Sequence, residues 1–322
     1  MQAFVTGASG FIGGHLVRSL VQKKWNVRAL VHESPFDGRG NIEIVHGDVR
    51  YPDAWSRALE GTDVLFHLAA ALGFSGLSKA EFVRVNARGT ESLYKAAASA
   101  GVGRAVHVSS AGVIGAVLPG EVAAEDYPLN PKTTYDRSKF EAEQIALGMA
   151  GRGLTMVVVR PGWAYGPGDR RTFKVIKAIH DGRFALVSAG RGRQTPVYID
   201  DLVTGLRLAA DKGKPGEIYH LAGDEIMTVR EMAKIIAEAC GVRVPGISIP
   251  RLPATLAAWA LQYAYAPFKK EAPLNLARLS FFIHPKAISS AKAARELGFK
   301  PIMDFKTGMA KTVAWYREND WL

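Results

Sequence analysis

The chain has 322 residues, 48% of them apolar and 22% charged, and 41 Lys+Arg against 30 Asp+Glu give a formal net charge of +11. This is the balance of a folded globular protein and not of a disordered one. The single cysteine, Cys240, excludes an intramolecular disulfide and a cysteine-built zinc site, and no metal is expected. The positive excess admits nucleic acid, an anionic membrane surface, an anionic ligand or simply solvated helix faces. Residues 251–322 hold 11 Lys+Arg and 5 Asp+Glu, so the last quarter carries +6 of the total.

The opening MQAFVTG runs straight into a strand pattern without a charged leader, which reads as a cytoplasmic protein. Strands are predicted at Ala3–Thr6, Val27–His32, Ile42–Val45, Val64–Leu68, Ala105–Ser109 and Met156–Arg160. Helices are predicted between them at Phe11–Lys23, Lys79–Ala100 and Tyr135–Gly151. Apolar strands alternating with helices imply an α/β, doubly wound parallel sheet of Rossmann type, with ligands outside the carboxyl ends of its strands. After Arg160, glycine and proline loops separate shorter elements, with helices predicted at Asp200–Ala210, Val229–Ala239, Pro285–Leu297 and Asp304–Asn319. The expected division is a dinucleotide-binding domain over 1–160 and a smaller helix-rich substrate lobe over 161–322, with chain exchange between the lobes. The uncharged apolar stretch Leu252 to Phe268 is 17 residues long and contains Pro253 and Pro267, which is too short and too interrupted to span a membrane.

The run Thr6-Gly7-Ala8-Ser9-Gly10-Phe11-Ile12-Gly13 joins the first strand to the first helix. Gly7 permits a tight turn, Gly10 lets backbone approach a pyrophosphate, and Gly13 lets helix pack on strand. Free N–H groups at the helix start, around Ser9, Phe11 and Ile12, face the anion. Asp48, in Gly47-Asp48-Val49 after the third strand, can accept from an adenine amino group. Leu68, Ala69 and Ala70 end the fourth strand with small or apolar side chains that admit ribose and pyrophosphate. Asn86 lies on the helix that follows.

In order, TGASGFIG, HGDV, HLAA, VNARGT, VSSAG, YDRSK and RPGWAYGPGD resemble the extended short-chain dehydrogenase/reductase superfamily, the epimerase/dehydratase-like group, over nearly the whole chain. The resemblance implies an NAD(P)-dependent enzyme. Where an NAD-binding acid is expected at the end of the second strand stands Val31, followed by His32 and Glu33. That departure leans toward NADP over NAD, with His32, and Arg28 or Arg39 nearby, meeting a 2′-phosphate.

Tyr135 and Lys139 share a helix face, and a cationic neighbour favours a phenolate for acid–base work on an alcohol. Tyr265 and Lys269 repeat the spacing, but around Pro267 and after no serine-bearing strand, so that copy is read as coincidental. By resemblance Ser110 donates to the substrate oxygen, with Ser109 its nearest competitor and a cofactor contact. Asn86 resembles a supporting catalytic asparagine, and Pro161 and Gly162 lie beside the nicotinamide, with Trp163 nearby.

Dehydratases of this group carry an acid pair after the serine, where this chain has Ala111-Gly112. Nucleotide-sugar members use an Arg-Asp pair where this chain has Gln194-Thr195, although Arg191 and Arg193 stand nearby. Leu252, Leu256, Trp259 and Tyr263 fall at helical spacing, as a buried lobe helix, a substrate lid or a membrane-touching helix beside Lys269 and Lys270. The tail, with Phe281-Phe282 and Trp315-Tyr316, resembles the sterol-dehydrogenase and hopanoid-associated branch as well as sugar epimerases. The leading expectation is hydride transfer on a secondary alcohol or ketone of lipophilic, sterol- or hopanoid-like character. The alternatives are a nucleotide-sugar 4-epimerase and a cofactor-sensing or polyanion-binding protein. The expected partner is a small molecule and not nucleic acid, with peripheral membrane contact as an open reading. By resemblance, the helices Lys79–Ala100 and Tyr135–Gly151 form a homodimer interface.

Overall fold

The computed structural model describes residues 1–322 except 37, 39, 73–76, 245, 266–271 and 273, and of residues 277, 278 and 281 the backbone alone. Six of its strands come from the first half of the chain: β1 (Gln2–Thr6), β2 (Asn26–Val31), β3 (Ile42–His46), β4 (Val64–His67), β5 (Arg104–Val108) and β6 (Thr155–Pro161). With Ile218–Leu221 they make one parallel seven-stranded sheet, ordered 218–221, β6, β5, β4, β1, β2, β3. The strand order reverses between β1 and β4, and a crevice opens there at the carboxyl ends. Central strands β4 and β6 are buried along nearly their whole length, as parallel strands covered on both faces must be.

The covering helices are α1 (Phe11–Gln22), α2 (Lys79–Phe82), α3 (Gly89–Ser99) and α4 (Thr134–Met149). Between α2 and α3 the chain stays helical but is wound with π-type turns over Val83–Arg88. The second half adds α5 (Arg170–His180), α6 (Ile199–Lys212), α7 (Val229–Cys240), α8 (Arg251–Tyr265), α9 (Leu276–Ile283), α10 (Ala291–Leu297) and α11 (Phe305–Glu318).

Residues 199–221 return to the sheet layer: α6 packs on α1, β5 and β6, and its following strand pairs with β6. One apolar core therefore runs from Val5, Leu16 and Val157 through Leu202 and Leu206 to Leu297 and Val313. The expected helix Pro285–Leu297 is shorter than the sequence suggests. Residues 285–290 are an extended strap, with Lys286 N–H donating to the Arg193 carbonyl and Ser289 N–H to the Ala123 carbonyl. Those bonds to segments remote in sequence replace helical ones, and the helix starts only at Ala291.

Candidate active site

The turn between β1 and α1 is built on glycine. Gly7 has φ +69°, and a Cβ there would lie 2.7 Å from the Ala69 nitrogen. Gly10 caps α1 without a side-chain hydrogen bond, so the first N–H groups of the helix are left to face the crevice. Such a helix start, with bare backbone before it, fits a pyrophosphate.

A buried relay of hydroxyl and imidazole holds this turn to the loop after β4. Thr6 Oγ1 accepts from the N–H groups of Leu68 and Ala69 at 3.2 and 3.1 Å, and bonds His67 Nδ1 at 2.7 Å. His67 Nε2 bonds Thr90 Oγ1 at 2.8 Å, and Thr90 donates on to the Asn86 carbonyl at 2.6 Å. With Thr90 spending its proton on Asn86, the imidazole must carry its hydrogen on Nε2 and accept at Nδ1. Burial first, then the Lys139 charge, lowers the His67 pKa to about 3, so the ring is neutral.

Asn86 sits within the π-wound turn. Its side-chain amide pairs with both backbone groups of Ala71, at 2.7 and 3.1 Å, and donates to Ser138 Oγ at 2.9 Å. These bonds tie the 68–71 loop to α4 and put Asn86 in a supporting place behind it.

A capping box between Thr133 and Asp136 fixes the first turn of α4. That sets Tyr135, Lys139 and Glu143 at four-residue intervals along one face. Lys139 is buried and donates from Nζ to the Val108 carbonyl, at the end of β5, at 2.8 Å. Burial lowers its pKa to about 8 against the opposing pull of Glu143. Ser110 Oγ accepts from the Gly112 N–H at 3.0 Å and lies close enough to the Tyr135 phenol to act on its pKa. Burial raises the Tyr135 pKa; the Arg171 charge opposes this, Asp136 adds to it, and the Ser110 bond opposes it.

The two serines separate cleanly. Ser109 turns its hydroxyl away from the crevice and donates to Glu143 Oε2 at 2.5 Å. Glu143 is fully buried and takes Arg160 in two bonds, at 2.6 and 3.0 Å. Among the described residues, Ser110 is therefore the hydroxyl beside Tyr135.

At the other end of the sheet edge, Asp48 pairs with Arg50 through Nε at 2.8 Å and through a second guanidinium nitrogen, with His32 Nε2 3.4 Å away. Burial would raise the Asp48 pKa, but hydrogen bonds and charge from Arg50, then His32, bring it below the usual carboxylate range. Arg28, expected to help here, is instead bonded to Glu43 and to the Ala58 carbonyl, at 2.8 and 2.9 Å. Arg39 lies outside the described residues, as do Lys269 and Lys270. Arg50 was missed, although it stands two residues after the recognised Asp48.

A single crevice of about 1200 Å³ connects all of this. Gly7, Ser9, Gly10, Phe11, Ile12, His32, Asp48, Val49, Leu68, Ala69, Ala70, Ser109, Ser110, Tyr135, Lys139, Pro161 and Gly162 all line it. Beyond Tyr135 it continues between Trp163, Val187, Ile249, Ala254, Leu274 and Phe282, an apolar end with Arg171, Lys174, Arg183 and Lys286 also on its walls. Gln194 lines it too, whereas Thr195 Oγ1 accepts from the Ile288 N–H at 2.8 Å and serves the strap. Nothing in residue spacing signals the four cations, which α5, the loop after it and the strap bring together. Among the described residues no cluster of His, Cys, Asp or Glu could hold a metal ion, and no helix is long and apolar enough to cross a membrane.

A model of the NAD dependent epimerase/dehydratase family matches residues 3–222. The chain belongs to this family. It is 32% identical to the 4-hydroxy-2-methyl-3-oxo-4-farnesyl-3,4-dihydroquinoline-1-oxide ketoreductase of Stigmatella aurantiaca, covering 96% of this chain and 95% of that one. It is also 32% identical to sterol demethylase protein B of Methylococcus capsulatus, covering 99% of each. Among solved structures, the dTDP-glucose 4,6-dehydratase of Streptomyces venezuelae with NAD bound shares 29% identity and a TM-score of 0.79 over 99% of this chain and 98% of that one. This member of the epimerase/dehydratase family is thus an enzyme of the extended short-chain dehydrogenase/reductase superfamily.

Proposed function

We propose that this protein is a nicotinamide-dependent oxidoreductase acting on a ketone or secondary alcohol with a lipophilic body, and that reduction is its favoured direction. One observation carries the reading. The Ser110–Tyr135–Lys139 group sits between the glycine turn and a crevice end walled by Val187, Ile249, Leu274 and Phe282. The nicotinamide, when bound, supplies or accepts the hydride. Ser110 holds the substrate oxygen by a hydrogen bond, and Tyr135 Oη gives that oxygen its proton in reduction or takes it in oxidation. Burial raises the Tyr135 pKa and so keeps the phenol protonated, the form that donates. Lys139, held by the Val108 carbonyl, places a cation beside the reacting hydroxyls and stabilises the phenolate left after donation.

The family is NAD-dependent; for this chain NADP is the favoured cofactor. Val31 offers no carboxylate at the strand end, and the Arg50 guanidinium, shared with Asp48, stands on the crevice wall with the His32 ring. The outer faces of α3 and α4, which pack against each other, are proposed to pair two copies in a homodimer. The specific observation favouring a nucleotide-sugar substrate instead is the set Arg171, Lys174, Arg183 and Lys286, which could hold a diphosphate.

A screen of NADPH and NADH oxidation with steroid, isoprenoid and other apolar ketones, set against UDP- and dTDP-sugars, decides between these. Tyr135→Phe should then lose about 10²–10⁴-fold in turnover while keeping its affinity for the cofactor. Full activity in Tyr135→Phe would overturn the mechanism, and turnover of sugar nucleotides alone would overturn the substrate class.

A further inference from the structure

Helix α8 is two-faced in an unusual sense, because both faces are apolar and only one is covered. Ala254 and Ala258 are buried and pack in a cluster with Val187 and Leu279. Leu252, Leu256, Trp259 and Tyr263 are each more than half exposed. Their offsets of four, three and four residues hold them within about 60° of helical arc, so they form one continuous stripe. Trp259 and Tyr263 lie with ring centroids 4.7 Å apart, in the stripe's second half. Ile247 and Ile249, just before the helix, are exposed as well. A contiguous apolar surface of this kind on a folded chain marks a docking face.

The sequence charge before and after the stripe points to what it docks to. The helix contains no acidic residue, and between residues 243 and 286 the sequence has six Lys+Arg against one acid, Glu271. Arg251 opens the helix, and its charge bears on His284 with those of Lys286 and Lys132, against the opposite pull of Asp136. An aromatic and aliphatic stripe flanked by cations is the pattern of a helix lying in the plane of an anionic bilayer, with Trp and Tyr at headgroup level. A second copy of the chain suits the face less well. A two-fold interface would set this stripe against itself and bring the same cations face to face.

We propose that α8 docks this protein onto the surface of a bilayer containing anionic phospholipid, with the helix in the membrane plane and no segment crossing it. The placement has a consequence for the crevice. Ala254 on the inner face of α8 and Ile249 just before it line the crevice's apolar end, so the docked helix sets that end next to the lipid. An apolar molecule dissolved in the bilayer can then reach Tyr135 past one helix without crossing bulk water. The docking itself does not depend on the redox reading, and either can fail without the other.

The test is co-sedimentation of the full chain with vesicles of phosphatidylcholine alone and with one part in three phosphatidylglycerol. Binding is expected to the mixed vesicles, to weaken as salt is raised, and to fall at least about tenfold in the double variant Leu256→Gln, Trp259→Gln. Neither side chain lines the crevice, so the variant should keep wild-type circular dichroism and NADPH affinity, which separates lost docking from lost fold. Failure of the wild-type chain to sediment with mixed vesicles overturns the proposal, as does equal sedimentation of the double variant. So does a dimer, seen by sedimentation velocity without vesicles, that the same two substitutions dissociate, since a second copy would then own the stripe.

Discussion

Glu143 and Arg160 form a fully buried ion pair, with contacts of 2.6 and 3.0 Å, one helical turn beyond Lys139. The pair performs two tasks at once. It neutralises an arginine that β6 carries into the protein interior, and it leaves a carboxylate whose field opposes the loss of the Lys139 proton. Taking away one partner strands the other's charge in a medium that cannot solvate it. Glu143→Ala should therefore cost about 3–5 kcal/mol of unfolding free energy, read from urea midpoints. The paired replacement Glu143→Leu with Arg160→Met should recover most of that loss. In the milder Glu143→Gln, Lys139 should lose its proton at lower pH, which moves the lysine-dependent limb of the pH–rate profile down. An unmoved limb would show that the carboxylate does not tune the lysine.

The neighbouring serines give opposite signatures. Ser110 shares the crevice wall with Tyr135 and acts on its phenol, whereas Ser109 adds a hydrogen bond to Glu143. Ser110→Ala should reduce kcat by about 10²–10³-fold with little change in Tm. Ser109→Ala should keep kcat within a few-fold and lose about 1–3 kcal/mol of stability, because a buried carboxylate oxygen then loses one of its two donors and keeps only Arg160 Nε. Measuring both quantities on both variants is decisive, and an exchange of the two patterns would move the catalytic hydroxyl to Ser109.

These cases also show what the sequence made legible. Each of the six predicted strands exists, with ends shifted by at most one residue, because apolar runs bounded by glycine and polar turns have few other uses. The glycine turn and Tyr135–Lys139 were readable because local spacing alone sets their geometry. The bonding of Asn86 is not legible from spacing, because it depends on Ala71 and Ser138, which spacing cannot locate. Arg160 did leave a signal, being a lone cation in the run VVVRPG, which demands a buried acid without saying which one. The strap at 285–290 is not legible from periodicity, because its backbone bonds go to Arg193, Thr195 and Ala123, partners remote in sequence. The cationic set on the crevice walls is likewise assembled from segments that touch only in the folded chain.

Acid should destabilise this protein earlier than carboxylates alone would. Burial lowers the pKa of His67 and of His220 to about 3, helped by Lys139 in the first case and Arg160 in the second. His107 is likewise held well below its ordinary value by burial. In the unfolded chain each imidazole titrates near 6.5. Between those limits the unfolded state binds more protons, so stability falls as pH drops from about 6.5 toward 3. Each ring contributes about 1.4 kcal/mol per pH unit within that window. Denaturant unfolding between pH 7.5 and 5 should show the decline. In His67→Gln, which cannot titrate, the slope should be shallower by one such contribution. An equal slope would mean that His67 accepts a proton in the folded protein.

Two adjacent glycines at the start of α1 provide a paired test of the cofactor turn. A Cβ on Gly13 would sit 2.1 Å from the Gly7 carbonyl oxygen and 3.0 Å from the Ala8 Cα, both of them backbone atoms that cannot swing aside. A Cβ on Gly14 would meet the Ala8 carbonyl oxygen at 3.5 Å, an ordinary contact. Both positions lie within Phe11–Gln22, where alanine favours the helix over glycine by up to about 1 kcal/mol. Gly14→Ala should consequently raise Tm and leave cofactor affinity unchanged. Gly13→Ala must push α1 away from β1, dragging the first helical N–H groups from their place at the crevice. It should lower Tm and weaken NADPH binding at least about tenfold, the loss expected when a charge-assisted hydrogen bond worth about 1.5–3 kcal/mol is broken. Fluorescence titration of NADPH against both variants measures this. If Gly13→Ala bound as tightly as the parent, the pyrophosphate would have to be held somewhere other than the start of α1.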